Sequence, residues 1–301
     1  MTRAEQVARE RDPVKKAALV LGPGFITGAA DDDPSGIGTY SVAGASLGLA
    51  TLWTALLTFP FMAAVQNICS QLGAVSGSGL AGILKEHYPR RVLYPAVALV
   101  VIANVVNIGA DLGAIADAAG IVVGTPVPWL VIPVALGLLA VQVFAGYKQI
   151  ERIFKLLTLA LLAYVVDVFL SHPPLAETLR ATFVPTISFD HTYIATLVAI
   201  LGTTISPYLF FWQTSQEVEE ERAAGRKTRA QRRGASKFEL RIATIDVTVG
   251  MLVSNLIMYF IILATALTLN ANGQTDIATG ADAADALRPF AGDLAGVIFA
   301  I

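Results

Sequence analysis

Gly28-Ala29-Ala30-Asp31-Asp32-Asp33-Pro34-Ser35-Gly36-Ile37-Gly38 lies inside an apolar run that extends from Ala17 to about Leu57. If that run crosses a bilayer, each carboxylate near the centre costs roughly 2.5–3.5 kcal/mol before it finds a partner. Acids at membrane depth are therefore read as a functional site. The same stretch breaks the helix that carries it. Pro34 has no amide hydrogen and disfavours helical geometry at Asp33, while Gly36 and Gly38 relax the backbone beyond. Broken backbone inside a membrane is tolerated only where it lines a cavity or binds something.

The rest of the chain supports a membrane setting. Of 301 residues, 55% are hydrophobic and only 15% charged, against about 25% charged in soluble domains. A spanning helix needs about 20 apolar residues. Segments that meet this requirement lie near 17–46 (broken at 31–36), 49–71, 92–115, 128–147, 153–171, 192–218 (with a second break at 203–207), 240–268 and 286–301. The single cysteine, Cys69, sits in an apolar segment and reads as a small buried hydrophobe, which excludes a disulfide framework. The loop Ser76–Tyr88 is short and Gly-rich, and His172–Asp190 has room for a short surface helix.

Charge distribution orients the layout. Lys and Arg concentrate on the cytoplasmic side of spanning helices. With a cytoplasmic N-terminus, that side holds five in the leader 1–16, three at 85–91, three at 148–155 and eight at 222–241, or 19 of the chain's 21. Only Arg180 and Arg288 fall outside. The expectation is a multi-pass protein of the cell's inner (plasma) membrane, with a leader at 1–16 and a transmembrane domain at 17–301. Because Ala291–Ile301 is apolar to its last residue apart from Asp293, the chain is expected to be truncated in its eighth helix.

The second break reads Thr203-Thr204-Ile205-Ser206-Pro207-Tyr208, with a proline again preceded by hydroxyl residues that can satisfy freed backbone groups. Breaks in the first and sixth segments are five spans apart. That is the spacing of an inverted-repeat transporter with its site at the midplane, with a first repeat at about 17–171 and a partial second at about 192–301. Asn104, Asn107 and Asp111 follow i, i+3, i+7 spacing and share one helical face. They serve either as interhelical hydrogen-bonding glue or as part of a pathway. Gln213, Gln216, Glu217 and Glu220 form a second such face, with Gln213 and Glu217 candidates for an inner vestibule and Glu220 a solvated helix end. Asp167 and Asp246 read as interfacial, Asp246 near a helix start.

With these residues in view, the chain resembles the Nramp superfamily of divalent-metal transporters. The matching stretches are Gly22-Pro23-Gly24-Phe25, the Asp33-Pro34-Ser35-Gly36 break, Ala43-Gly44-Ala45, Leu72-Gly73-Ala74-Val75-Ser76-Gly77 and the Thr203–Tyr208 break. The resemblance implies an all-α, LeuT-like inverted-repeat fold with unwound first and sixth helices. It also implies that the chain is not an enzyme and needs no resident cofactor. The transported divalent cation would be held by Asp33 and Asp32, the Gly36 position, Thr203 and Ser206. Asp31, Asn107, Asp111, Tyr208, Gln213 and Glu217 would lie along the pathway or support the ligands.

Departures from the family pattern set the expected ion. Gly36 stands where the family has Asn, and Ser206-Pro207-Tyr208 stands where it has Met-Pro-His. Losing a soft thioether leaves oxygen donors, which suit hard, partly hydrated Mg²⁺, as in the Nramp-related magnesium transporter branch. Ala114 and Gln213 occupy positions where the family has a glutamate and a histidine associated with proton movement, so uptake is expected to run without proton coupling. The alternatives are a proton-coupled Mn²⁺/Fe²⁺ transporter and, in another class, an intramembrane Mg²⁺-dependent enzyme. The enzyme would want a second aspartate-rich cluster, and the sequence has none. The expected partners are the metal ion and the lipid bilayer, with no nucleic acid and no obligate protein.

Overall fold

A computed structural model describes residues 2–144, 149 and 161–277, which are helical with short connections and contain no strand. The expected span at 286–301, and the first part of that at 153–171, lie outside the described residues. The first apolar run divides where its prolines require. A leader of α1 (Arg3–Arg9) and α2 (Pro13–Val20) precedes α3 (Pro23–Asp31) and α4 (Pro34–Leu47). Pro23 and Pro34 each sit in a first helical turn, where the missing amide hydrogen is no loss. Gly48, at φ 58°, ends α4 with a backbone geometry that side chains disfavour.

The chain continues through α5 (Thr54–Ser76), α6 (Leu80–His87), α7 (Arg90–Val123) and α8 (Val127–Phe144). Beyond residue 160 come α9 (Leu162–Leu170), α10 (Leu175–Phe183), α11 (His191–Thr204), α12 (Pro207–Ala223), α13 (Arg229–Arg232) and α14 (Lys237–Thr268). Both expected breaks are present, between Asp31 and Pro34 and between Thr204 and Pro207. The stretch expected to be a loop, Ser76–Tyr88, contains the short helix α6, and α10 is the helix expected after His172. α7 is longer than the expected 92–115 at both ends.

Five helical segments among the described residues are long and apolar enough to cross a membrane: α5, α7, α8, the α11–α12 pair and α14. The first segment is divided into pieces of nine and fourteen residues, each short of the ~20 that a bilayer needs. No residue of α8 is buried.

Two compact units are interleaved along the chain: residues 1–31, 59–105 and 205–253 form one, and residues 32–58, 106–204 and 254–301 the other. Their boundaries pass through both breaks. In the first unit, α3 meets the first half of α14 backbone to backbone. A Cβ on Gly28 would lie 2.3 Å from the Gly250 carbonyl oxygen, and one on Gly24 would lie 2.4 Å from the Val247 nitrogen. Gly28→Ala is therefore expected to cost about 1–3 kcal/mol by overpacking, seen as a lower midpoint of thermal unfolding. Phe59, Met62, Ala63, Val247 and Met251 pack together nearby.

The start of α3 is held by a residue far away in sequence. The Asp246 carboxylate accepts hydrogen bonds from the amides of Gly22 (2.8 Å), Gly24 (2.9 Å) and Phe25 (3.0 Å), and from Arg3 Nη1 (2.6 Å). Amides at a helix start lack intrahelical partners and sit at the positive end of the helix dipole. Asp246 is fully buried and caps another helix rather than its own. Asp167 is likewise fully buried, on the inward face of α9 with Tyr164 and Val168. The buried Arg232 guanidinium donates to the carbonyls of Gly77, Arg226 and Lys227, joining two loops of this unit.

In the second unit, α4 packs along α11. The fully buried Tyr40 places its hydroxyl 3.1 Å from Thr204 Oγ1. Asn255 donates to the Ala55 carbonyl (2.8 Å) and accepts from Thr58 Oγ1 (2.8 Å). Asn270 donates to the carbonyl of Ala45 (2.7 Å), joining the chain after α14 to α4.

Candidate metal site

Asp33 stands at the first break as the residue that starts α4. Its backbone is extended and its Oδ1 accepts from the Gly36 amide at 2.7 Å, an N-cap. Ser35 Oγ lies 2.7 Å from the same oxygen and 2.8 Å from Asn107 Oδ1, so one hydroxyl proton is shared between two acceptors. Asn107 Nδ2 donates to Asp33 Oδ2 (3.0 Å) and to Asp111 Oδ2 (3.0 Å), one proton for each carboxylate. Asp111 Oδ1 also accepts from the Ser35 amide at 3.3 Å. The i, i+4 relation on α7 lets Asn107 and Asp111 meet the break together.

This network fixes the Asp33 carboxylate in position. A ligand held by other groups loses little freedom on binding, as supported ligands do in metal sites generally. Gly36 contributes its N–H and the space of a missing side chain, not a side-chain ligand. Asp32, 6% exposed, accepts from Ser254 Oγ at 3.3 Å. Asp31 closes α3 and is fully buried. The three consecutive carboxylates therefore play different structural parts, with Asp33 alone capping a helix.

At the second break, α11 ends at Thr204 and α12 begins at Pro207. Ser206 is 2% exposed and occupies the N-cap position of α12 without using its side chain as a cap. Thr203 and Tyr208 are half-buried. Thr204 Oγ1 lies 3.1 Å from the Tyr40 hydroxyl and 3.6 Å from Met258 Sδ. Further along α12, Gln213 Nε2 donates to Glu217 Oε1 (2.9 Å), which also accepts from Ser70 Oγ (2.6 Å). Glu217 faces a cavity of about 50 Å³ within the first unit. Glu220, expected at a solvated helix end, is instead ion-paired with Arg3 at 3.1 Å.

The structure thus brings Asp33, Asn107 and Asp111 into one network, and Gln213 and Glu217 into another. Sequence reasoning missed Ser35 as a bridge, Ser254 as the partner of Asp32, Met258 beside Thr204, and Arg3. Ser254 and Met258 lie four apart on α14, so a shared face was legible. Nothing in the sequence said what that face meets.

The chain is similar to known proteins in sequence and in fold. The chain is 26% identical to the divalent metal cation transporter MntH of Yersinia pestis (strain Pestoides F), over all of this chain and 72% of the relative. It is 28% identical to the MntH of Agrobacterium fabrum, over 92% of this chain and 60% of that one. A crystal structure of the manganese transporter of Eremococcus coleocola, in complex with an aromatic bis-isothiourea substituted compound, matches with a TM-score of 0.68 and 16% identity, covering 96% of this chain and 63% of that one. A mutant of the same transporter matches with a TM-score of 0.71 and 17% identity, covering 97% and 63%. The family described as natural resistance-associated macrophage protein-like matches residues 24–301. The LeuT-like fold that the resemblance implies is that of these neighbours, and the chain belongs to the Nramp family.

Proposed function

We propose that this protein carries divalent metal cations across the membrane, with Mg²⁺ the preferred ion. The supporting observation is the donor set at the first break: Asp33 is held by Gly36, Ser35 and Asn107, with Asp111 in the same network. Its ligating atoms are hard oxygens, which suit Mg²⁺ and the waters it retains. Asp33 is the primary ligand, Asp32 a second, and Thr203 and Ser206 contribute oxygens from the second break. Asp31, Tyr208, Gln213 and Glu217 line or support the route. The protein lies in the plasma membrane with its N-terminus in the cytoplasm, as 19 of 21 basic residues favour. Ala114 and Gln213 stand where the family has groups associated with proton movement, so uptake runs without proton coupling, driven by an inside-negative potential worth roughly 2.3 kcal/mol per unit charge per 100 mV.

The full-length protein in liposomes tests this reading, with Mg²⁺ and Mn²⁺ influx each followed beside an internal pH probe. The expected result is Mg²⁺ influx without acidification. Mn²⁺ influx with acidification and no Mg²⁺ flux overturns it. In the same assay, Ser206→Met should move the Mn²⁺-to-Mg²⁺ preference towards Mn²⁺ by about tenfold, the effect of roughly 1.4 kcal/mol of differential affinity from a softer ligand. One observation favours a second reading, a transition-metal carrier. Met258 places a thioether 3.6 Å from Thr204 Oγ1, so a soft donor already stands beside the second break.

A further inference from the structure

α10 buries hydroxyls and exposes its largest apolar side chains. Three kinds of residue stand at separate angles around its axis. Thr178 and Thr182, four apart, form the buried face. Thr182 Oγ1 donates to the Thr178 carbonyl (2.7 Å) and lies 2.9 Å from the Tyr259 hydroxyl of α14. The helix also packs on the turn Gly48–Thr51. Leu175, Leu179 and Phe183 share the adjoining face by i, i+4, i+8 spacing, and they are 69%, 55% and 67% exposed. Glu177 and Arg180 are exposed and, at about 3.6 residues per turn, project away from both other faces.

The exposed apolar surface continues at both ends of the helix. Phe169 and Leu170 precede it at the end of α9, and Val184 and Ile187 follow it. The return to α11 is held in place. Asp190 Oδ1 accepts from the Tyr193 amide at 3.0 Å, and the Tyr193 hydroxyl donates to the Thr186 carbonyl and accepts from Trp53 Nε1 at 3.2 Å. Spanning helices end where hydrocarbon gives way to headgroups. α10 is joined to the end of α9 by residues 171–174 and leads back to the start of α11 at His191, so it stands at that level. The order of its faces suits such a place: protein on one side, hydrocarbon beneath the leucines and Phe183, water over Glu177 and Arg180. A second copy of the chain fits less well, because three side chains fall well short of the roughly 800 Å² that each partner of a stable dimer buries.

We propose that α10 is an interfacial helix: Leu175, Leu179 and Phe183 lie among the acyl chains of the leaflet at which α9 ends, with Glu177 and Arg180 at the headgroups. The occupant of the exposed face is thus lipid, and the helix fixes the connection between α9 and α11 at the membrane surface. This inference uses the membrane setting alone and stands or falls separately from the transported ion.

Spin labelling tests it in the full chain, reconstituted in phosphatidylcholine vesicles with Cys69→Ser as background. Nitroxides are attached one at a time at Leu179→Cys, Phe183→Cys and Glu177→Cys, exposed positions that leave the buried threonine face intact. Oxygen concentrates in hydrocarbon, and a charged nickel chelate stays in water. The ratio of oxygen to nickel collisions should be on the order of tenfold higher at 179 and 183 than at 177, for a face about 5–10 Å into the boundary between headgroups and acyl chains. Equal ratios at the three positions put the face in water and overturn the proposal. Low collision with both reagents at 179 and 183 means that protein covers the face, which also overturns it. Spin–spin broadening there that fades on dilution with unlabelled protein identifies that cover as a second copy.

Discussion

Asp33→Asn should reduce divalent-cation uptake by more than about 100-fold, beyond the 10–100-fold typical of groups that only orient a ligand. The folded protein should survive. Asn is as good an N-cap as Asp, and its carbonyl oxygen can accept from the Gly36 amide as Asp33 Oδ1 does at 2.7 Å. What disappears is the negative charge that a divalent cation requires. Asp33→Ala removes the cap as well and should cost about 1 kcal/mol of stability in addition. Comparing the two variants by liposome flux and thermal unfolding separates the ligand from the cap. Undiminished flux in Asp33→Asn would remove Asp33 from the site.

Asp246→Ala carries the largest expected loss of stability, about 3–5 kcal/mol, the range for breaking a buried ion pair by deleting one partner. The substitution leaves the Gly22, Gly24 and Phe25 amides without their acceptor and the Arg3 guanidinium without its closest carboxylate. Arg3→Gln should cost less, because the Asp246 carboxylate then keeps three amide donors. Unfolding of both variants in the same detergent, followed by tryptophan fluorescence, checks the order as well as the size. A loss in Asp246→Ala smaller than that in Arg3→Gln would mean that the amide cap contributes little.

Much of the fold was legible because membrane folding imposes strict local rules. Pro34 and Pro207 lack an amide hydrogen and each begins the helix after a break, whereas Pro60, Pro95 and Pro133 sit inside continuous helices, so the breaks also need the polar and glycine residues around them. The i, i+3, i+7 spacing of Asn104, Asn107 and Asp111 identified a polar face, and two of its residues meet the first break. Gln213 and Glu217, four apart on α12, bond to each other as that spacing allows. Helix ends were less legible. α7 extends to 34 residues because apolar residues continue beyond the length a bilayer demands, and hydropathy alone sets no stop.

The partners of Asp246 and Glu220 were not legible for a common reason. Each was judged by its place on its own helix, and each is held by a residue from another. Arg3 and Asp246 are 243 positions apart, and Ser254 and Asp32 are 222 apart. Periodicity reports which way a residue faces around its own axis. It carries no information about which helix lies opposite.

The sequence by itself determined the membrane class, the two breaks, the distribution of basic residues and the acids set within an apolar run, because these follow from local backbone chemistry and the cost of charge in hydrocarbon. Tertiary structure alone decided how each carboxylate is engaged: Asp33 as a cap fixed by Asn107, Asp32 beside Ser254, and Asp246 as the acceptor for α3 and Arg3. A buried carboxylate must be satisfied by donors within about 3 Å, and those donors come from whichever distant segments the packing of helices brings near.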